Sequence, residues 1–187
     1  MKQHILPATL LTLCCLVLFN IIYPLAMYGV GLLIGPNNGK GEIVAARGRT
    51  VGYARLGQSF TEDRYFWSRP SAVGYNAVGS AGSNKGPSNP DYLKTVQERI
   101  DTFIAHNPGI RADQVPSELV TASGSGLDPD LSPQAARVQA ARIARVRQID
   151  PARVEQLIKA HTKGPLLGLF GPTTVNVLEL NLALDAL

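Results

Sequence analysis

The sequence predicts a small α/β (α+β) domain carried behind one N-terminal transmembrane helix, and three observations predict it. No charged residue occurs from Ile5 to Ile34. The remainder is polar, rich in Gly, Pro, Ser and Asn and poor in aromatics. Three later segments open with a capping residue followed by proline and continue at helical apolar spacing, set among stretches of strand-like alternation. A chain of 187 residues and 20.0 kDa holds one such domain plus an appendage, which excludes two large domains. The averages, 45% hydrophobic and 17% charged with a mean hydropathy of +0.04, conceal how unevenly the apolar residues are placed.

Residues 1–34 are the anchor. A bilayer core about 30 Å thick needs about 20 apolar helical residues, and the uncharged run exceeds that. Its densest part, Ala8 to Tyr23, carries only Thr9, Thr12 and Asn20 as polar groups, two of which can bond back to carbonyls of the preceding turn. Pro24 is expected to kink or end the regular helix, and Gly29, Gly31, Gly35 and Pro36 to close the segment. No A-x-A pattern follows the run, which favours an uncleaved span over a signal peptide. Leu13 before Cys14 excludes a lipoprotein signal, which needs a small residue there. Lys2 lies on one side of the span and Lys40, Arg47 and Arg49 on the other, so charge does not set the orientation. Both cysteines, Cys14 and Cys15, fall inside the span, so no disulfide is expected in residues 35–187.

Within residues 35–187, Gly41 to Phe60 reads as a hairpin turning at Arg47-Gly48-Arg49. Thr61 to Pro90 has neither helical nor strand period, and irregular chain of that length is usually a working loop. Asn89-Pro90 starts a helix whose apolar face is Leu93, Val96, Ile100 and Phe103, stopped by Asn107-Pro108. Gly109 to Leu131 is a loop. Ser132-Pro133 opens a second helix to about Arg147, and Asp150-Pro151 a third to His161. At the C-terminal end, a short strand Val175 to Leu178 followed by a helix is expected.

The usual catalytic constellations are missing. There are three histidines, no H-E-x-x-H and no metal-type carboxylate cluster. The Ala122-Ser123-Gly124-Ser125-Gly126 loop fails the G-x-S-x-G pattern. It reads as a tight structural loop, or as a weak anion-binding concavity lacking a Walker lysine. Arg137, Arg142, Arg145 and Arg147 make the second helix basic, so it is either a solvated face or a grip for phosphates. A net charge of only +4 behind an apolar anchor argues against nucleic acid. The aromatics of Arg64 to Ala72 suit a protein interface or a core that pins an irregular segment. Asn20 within the span suits a hydrogen bond to another transmembrane helix.

Behind the span a series of motifs runs in order: Leu56-Gly57-Gln58-Ser59-Phe60-Thr61, Tyr65-Phe66-Trp67-Ser68-Arg69-Pro70-Ser71-Ala72, Gly82-Ser83-Asn84, Ser88-Asn89-Pro90 and Val115-Pro116. It continues through Leu119 to Asp128, Ser132-Pro133-Gln134-Ala135-Ala136 and Val175 to Asp185. This series resembles the C-subunit (KdpC) family of the prokaryotic Kdp potassium-transporting ATPase, and the resemblance covers essentially the whole chain. It implies a single-pass protein of the cell inner membrane with an extracytoplasmic domain and no catalytic site of its own. Its implied partners are a potassium-channel-like subunit, a P-type ATPase subunit, a small membrane peptide subunit and the lipid bilayer.

The resemblance also implies a catalytic-chaperone role, with no tightly bound cofactor and ATP held only in a ternary complex with the ATPase subunit. Ser123, Gly124, Ser125, Gly126, Asp128 and Gln139 are then the candidate nucleotide contacts, and Asn20, Tyr65, Phe66, Trp67 and Arg69 the candidate partner interface. Two readings compete with an accessory subunit. One is a signal-anchored extracytoplasmic hydrolase using Ser123 or Ser125; the other is a binder of anionic lipid through the arginine helix.

Overall fold

The computed structural model describes residues 2–187. The chain divides into two compact units, one ending at Ile43 and the other running from Val44 to Leu187.

The first unit is helical: α1 (Lys2–Val17), a wide π turn (Leu18–Ile22) and α2 (Tyr23–Ile34). Its 31 residues from His4 to Ile34 are long and apolar enough to cross a membrane. Thr9 and Thr12 donate to the carbonyls of Ile5 and Ala8, each at 2.9 Å, and Asn20 donates to that of Leu16 at 3.2 Å. Pro24 does not end the helix. A proline has no N–H to give and presses on the carbonyl four residues back, here Asn20. The wide turn falls directly before it, and widening the helix there makes room for the ring. Gly29 and Gly31 lie inside α2, which stops only at Gly35.

In the second unit the expected hairpin forms from β1 (Ile43–Ala46) and β2 (Arg49–Tyr53). Its turn is Arg47 and Gly48, with φ of 51° and 75°. This is the mirror-image two-residue turn that matches strand twist, so Arg49 belongs to the strand. Residues 61–89 carry no helix or strand, as expected.

All three capped helices form. In α3 (Pro90–His106) the Asn89 side chain accepts from the Tyr92 N–H, in α4 (Pro133–Arg147) Ser132 accepts from Ala135, and in α5 (Pro151–Ala160) Asp150 accepts from Ala152. Each such cap is worth about 1 kcal/mol. The apolar face expected of α3 is only partly used: Phe103 is buried, whereas Leu93 is 52% exposed. Only the last turns of α3 reach the core. Two short 3₁₀ turns, Ala112–Gln114 and Ser117–Leu119, carry the next connection. The Glu118 carboxylate accepts from both the N–H and the hydroxyl of Ser132, which ties that connection to the start of α4.

A small antiparallel sheet, in the order β3-β5-β4, is built from β3 (Asp130–Leu131), β4 (Thr162–Lys163) and β5 (Thr174–Asn176). Val175 faces Leu131 on one side and Thr162 on the other. The strand ends two residues earlier than expected because the Asn176 side chain accepts from the Glu179 N–H and caps α6 (Val177–Leu184). Helices α4, α5 and α6 enclose the core with Phe66, Phe103, Leu131 and Val175, around Ile143, Val154, Ile158 and Leu180, all four fully buried. Full burial of such side chains stabilises by about 1.5–3 kcal/mol each.

Candidate functional site

The aromatic loop is held without a strand partner. Buried main-chain N–H and C=O groups must be paired, and an irregular segment cannot pair them with itself. Here two side-chain amides do so. Phe66 N–H donates to Asn181 Oδ1 at 2.8 Å, and Asn181 Nδ2 donates back to the Phe66 carbonyl at 3.0 Å. One residue on, Trp67 N–H donates to Gln139 Oε1 at 2.8 Å and Gln139 Nε2 returns a longer bond of 3.3 Å to the Trp67 carbonyl. Gln139 also donates to the Ala135 carbonyl, so both ends of its amide are engaged.

Arg142 completes this support. It is 1% exposed, donates to the Tyr65 carbonyl and to Gln139 Oε1, and stacks 4.3 Å from the centroid of the Trp67 ring. Its Nε and Nη1 have no hydrogen-bond partner, and it makes no ion pair among the described residues. Burial lowers its pKa to about 10, opposed by the Asp63 charge and assisted by Arg145. Further out, Arg147 bonds the Arg64 carbonyl and pairs with Asp185, which also accepts from the Tyr65 hydroxyl.

These contacts decide between the two readings of the loop, residue by residue. Phe66 has no exposed surface and is a core residue, with nothing to offer a partner directly. Tyr65, Trp67 and Arg69 are half-buried. Trp67 meets Phe103 edge-on at 6.2 Å and His106 at 5.0 Å, and His106 pairs with Asp63 at 2.7 Å. Between this loop and α3 lies an open groove of about 490 Å³, with Phe60, Trp67, Phe103 and Leu119 as its apolar lining and Glu98, Arg99 and His106 as its charged and polar rim.

The serine loop sits in a separate cleft of about 630 Å³, together with Arg55, Arg69, Ser80 and Asp128. Ser123 is 4% exposed and its hydroxyl accepts from the Gly126 N–H at 2.9 Å; Ser125 accepts from Leu127 at 3.0 Å. Two of the loop's N–H groups, those of Gly126 and Leu127, are thus turned onto its own serines. Gly126 has φ +70°, and a Cβ there would lie 2.8 Å from the Ala81 carbonyl oxygen. Only glycine fits. Arg69 pairs with Asp128 at 2.8 Å, and Asp128 accepts from the Asp130 N–H. Burial, with the Asp128 charge, raises the Asp130 carboxyl pKa.

Four of the six nucleotide candidates, Ser123, Gly124, Ser125 and Asp128, line this cleft, with Gly124 and Ser125 exposed and Gly126 buried beneath them. Gln139 is not among them. It is fully buried against the Trp67 main chain and does not line the cleft. Neither serine has a histidine hydrogen-bonded to it: His106 pairs with Asp63, and His161 with the Leu157 carbonyl. No metal-holding cluster of His, Cys, Asp or Glu exists among the described residues.

The basic helix is not a phosphate-gripping face. Arg137 pairs with Glu155, Arg142 is interior and Arg147 pairs with Asp185, leaving Arg145 as an exposed cation. The support given by Asn181 and Arg142 was not evident in the sequence, because it acts between residues far apart in the chain. A second missed feature is an apolar tip at Leu166–Phe170, whose signal is four large apolar residues packed between glycines and prolines.

Comparison with known proteins bears on this arrangement. The model of the family described as "K+-transporting ATPase, c chain" matches residues 5–186. A potassium-transporting ATPase KdpC subunit of Flavobacterium johnsoniae is 54% identical over 177 residues, covering 95% of this chain and 94% of the relative. That of Bacteroides fragilis is 48% identical, covering 99% and 98%, and that of Polaromonas naphthalenivorans is 48% identical, covering 100% and 96%. Matched along nearly its whole length, the chain belongs to the KdpC family, the c chain of K+-transporting ATPases.

Proposed function

We propose that this accessory subunit of the Kdp complex acts by assembly rather than by chemistry. Its span and its exposed groove hold it to the potassium-channel-like subunit, the P-type ATPase subunit and the small membrane peptide subunit, with its domain outside the cytoplasmic membrane. The observation that carries the reading is the use of both loop serines as main-chain acceptors, with no histidine hydrogen-bonded to either among the described residues. On the domain, the partner surface is the groove beside Trp67, extended by the half-buried Tyr65 and by Arg69 at the neighbouring serine cleft. In the span, Asn20 uses one amide N–H on Leu16, and an amide has a second donor and a carbonyl to give a neighbouring helix. The chaperone role in ATP binding is proposed to run through Gly124, Ser125 and Asp128 as one side of a composite site. Ser123 and Gly126 keep the shape of that side, and Gln139 acts on the aromatic loop instead.

The test is co-purification with a tagged ATPase subunit from detergent-solubilised membranes, together with potassium-stimulated ATP hydrolysis. Expected are a retained complex, hydrolysis that depends on adding this chain, and, for Ser125→Ala, a retained complex that still turns over at saturating ATP but needs more ATP to reach half-maximal rate. Ester or phosphoester turnover by the chain alone, abolished by Ser125→Ala, would overturn the reading in favour of a tethered hydrolase.

A further inference from the structure

Pro165 to Phe170 forms a tight turn whose side chains point away from the domain. Leu166 is 70% exposed, Leu167 81%, Leu169 80% and Phe170 63%. Elsewhere in the second unit large apolar side chains are exposed singly or, at Val51 and Tyr53, as a pair near 40%, which is ordinary; four together on one tip are not. The turn is well built. Leu166 and Phe170 exchange main-chain hydrogen bonds of 2.8 and 3.0 Å, Gly168 N–H donates to the Pro165 carbonyl, and Leu169 N–H to that of Leu166. Leu167 has φ +54° and Gly168 φ +74°. A leucine in the left-handed region is uncommon, and here the strained position displays its side chain outward.

We propose that this tip inserts into the interfacial layer of the bilayer that the span crosses. Three features favour lipid over a protein partner. The four side chains carry no donor, acceptor or charge by which a protein surface could select them, whereas protein hot spots favour Trp, Tyr and Arg over Leu. The main chain of the tip is largely satisfied from within, which apolar surroundings require of any loop entering them. No charged residue occurs from Gly164 to Leu178, and of the two lysines just before the tip Lys163 pairs with Glu179 at 2.8 Å while Lys159, 66% exposed, is placed to meet headgroups. The same chain carries a span long and apolar enough to cross a membrane, and only residues 35–42 separate α2 from β1.

The inference needs only the membrane span, not the ATPase assembly, so the two can fail separately. The test uses the full chain with Cys14 and Cys15 replaced by alanine and a nitroxide on Leu167→Cys, Leu169→Cys or, as an aqueous control, Val78→Cys, which is 96% exposed. Each is placed in phosphatidylethanolamine–phosphatidylglycerol vesicles, alone and within the purified complex. Far-UV circular dichroism matching the parent certifies the fold. For a tip among acyl chains, the ratio of oxygen to water-soluble nickel-chelate collisions at 167 and 169 should exceed that at 78 several-fold, since oxygen partitions into the apolar layer and the chelate is kept out of it. Equal ratios at all three sites overturn the proposal. Shielding of 167 and 169 from both reagents only when the other subunits are present also overturns it, and assigns the tip to a protein interface.

Discussion

The Asn181 side chain and the Phe66 main chain exchange two hydrogen bonds, at 2.8 and 3.0 Å, across 115 positions of sequence. An amide side chain thereby does for an irregular loop what a neighbouring strand does in a sheet. Asn181→Leu leaves a buried N–H and a buried C=O unpaired, and each such group costs about 1–3 kcal/mol. A loss of roughly 2–4 kcal/mol is expected from urea unfolding of the detergent-solubilised protein. A loss under about 0.5 kcal/mol, the level of an ordinary surface change, would show that water replaces the clamp.

Arg142 gives a pH dependence with a definite sign. Its folded pKa, lowered to about 10, lies well below the ordinary arginine value because burial disfavours the charge. Below pH 10 both folded and unfolded chains hold the proton, and the contribution is flat. Above pH 10 the folded chain releases it first, so the unfolded chain binds more protons and stability rises with pH. The difference in unfolding free energy between the parent and Arg142→Met should therefore move in the parent's favour from pH 10 upward. A difference that stays flat to pH 11.5 would contradict the burial of the charged form.

Two glycines of the serine loop should part company. Gly126→Ala meets both a left-handed backbone and the Ala81 carbonyl, and strain of this kind costs about 1–3 kcal/mol. Gly124→Ala meets nothing within 4 Å. Thermal unfolding should register the first and leave the second nearly unchanged. With the fold intact, Gly124→Ala should weaken the apparent ATP affinity of the assembled pump; an unchanged ATP dependence would remove Gly124 from the composite site.

The groove beside Trp67 can be blocked without disturbing the core. Thr102 is exposed on its rim, and Thr102→Lys places a long charged chain across the opening. Co-purification with the ATPase subunit should fall several-fold while the unfolding midpoint stays put. Unchanged co-purification would move the partner surface elsewhere on the domain.

What the sequence disclosed follows the reach of each signal. Asn89, Ser132 and Asp150 announce their helices because cap and proline act within three residues, and all three side chains accept the expected N–H. The apolar stripe of α3 overstated its burial, since periodicity marks a face but not what covers it; Leu93 faces water. Gln139 was carried to the nucleotide site by resemblance, yet its partner is the main chain 72 positions away, a relation no local pattern encodes. Phe66 was legible as important and ambiguous in kind. Aromatic residues between arginines serve an interface and a core equally well until burial is known.

The clamp on the aromatic loop also sets an order of events during synthesis. The greasy N-terminal helix leaves the ribosome first and can be delivered to the insertion machinery, but residues 65–67 have no place to settle until Gln139 and then Asn181 have emerged. At about 5–20 residues per second the interval is on the order of ten seconds. Through it the nascent domain trails from its anchor with Phe66 and Trp67 uncovered, open to holding chaperones and to proteases. Slowing translation late in the message would then lower the yield of mature subunit more than slowing it early.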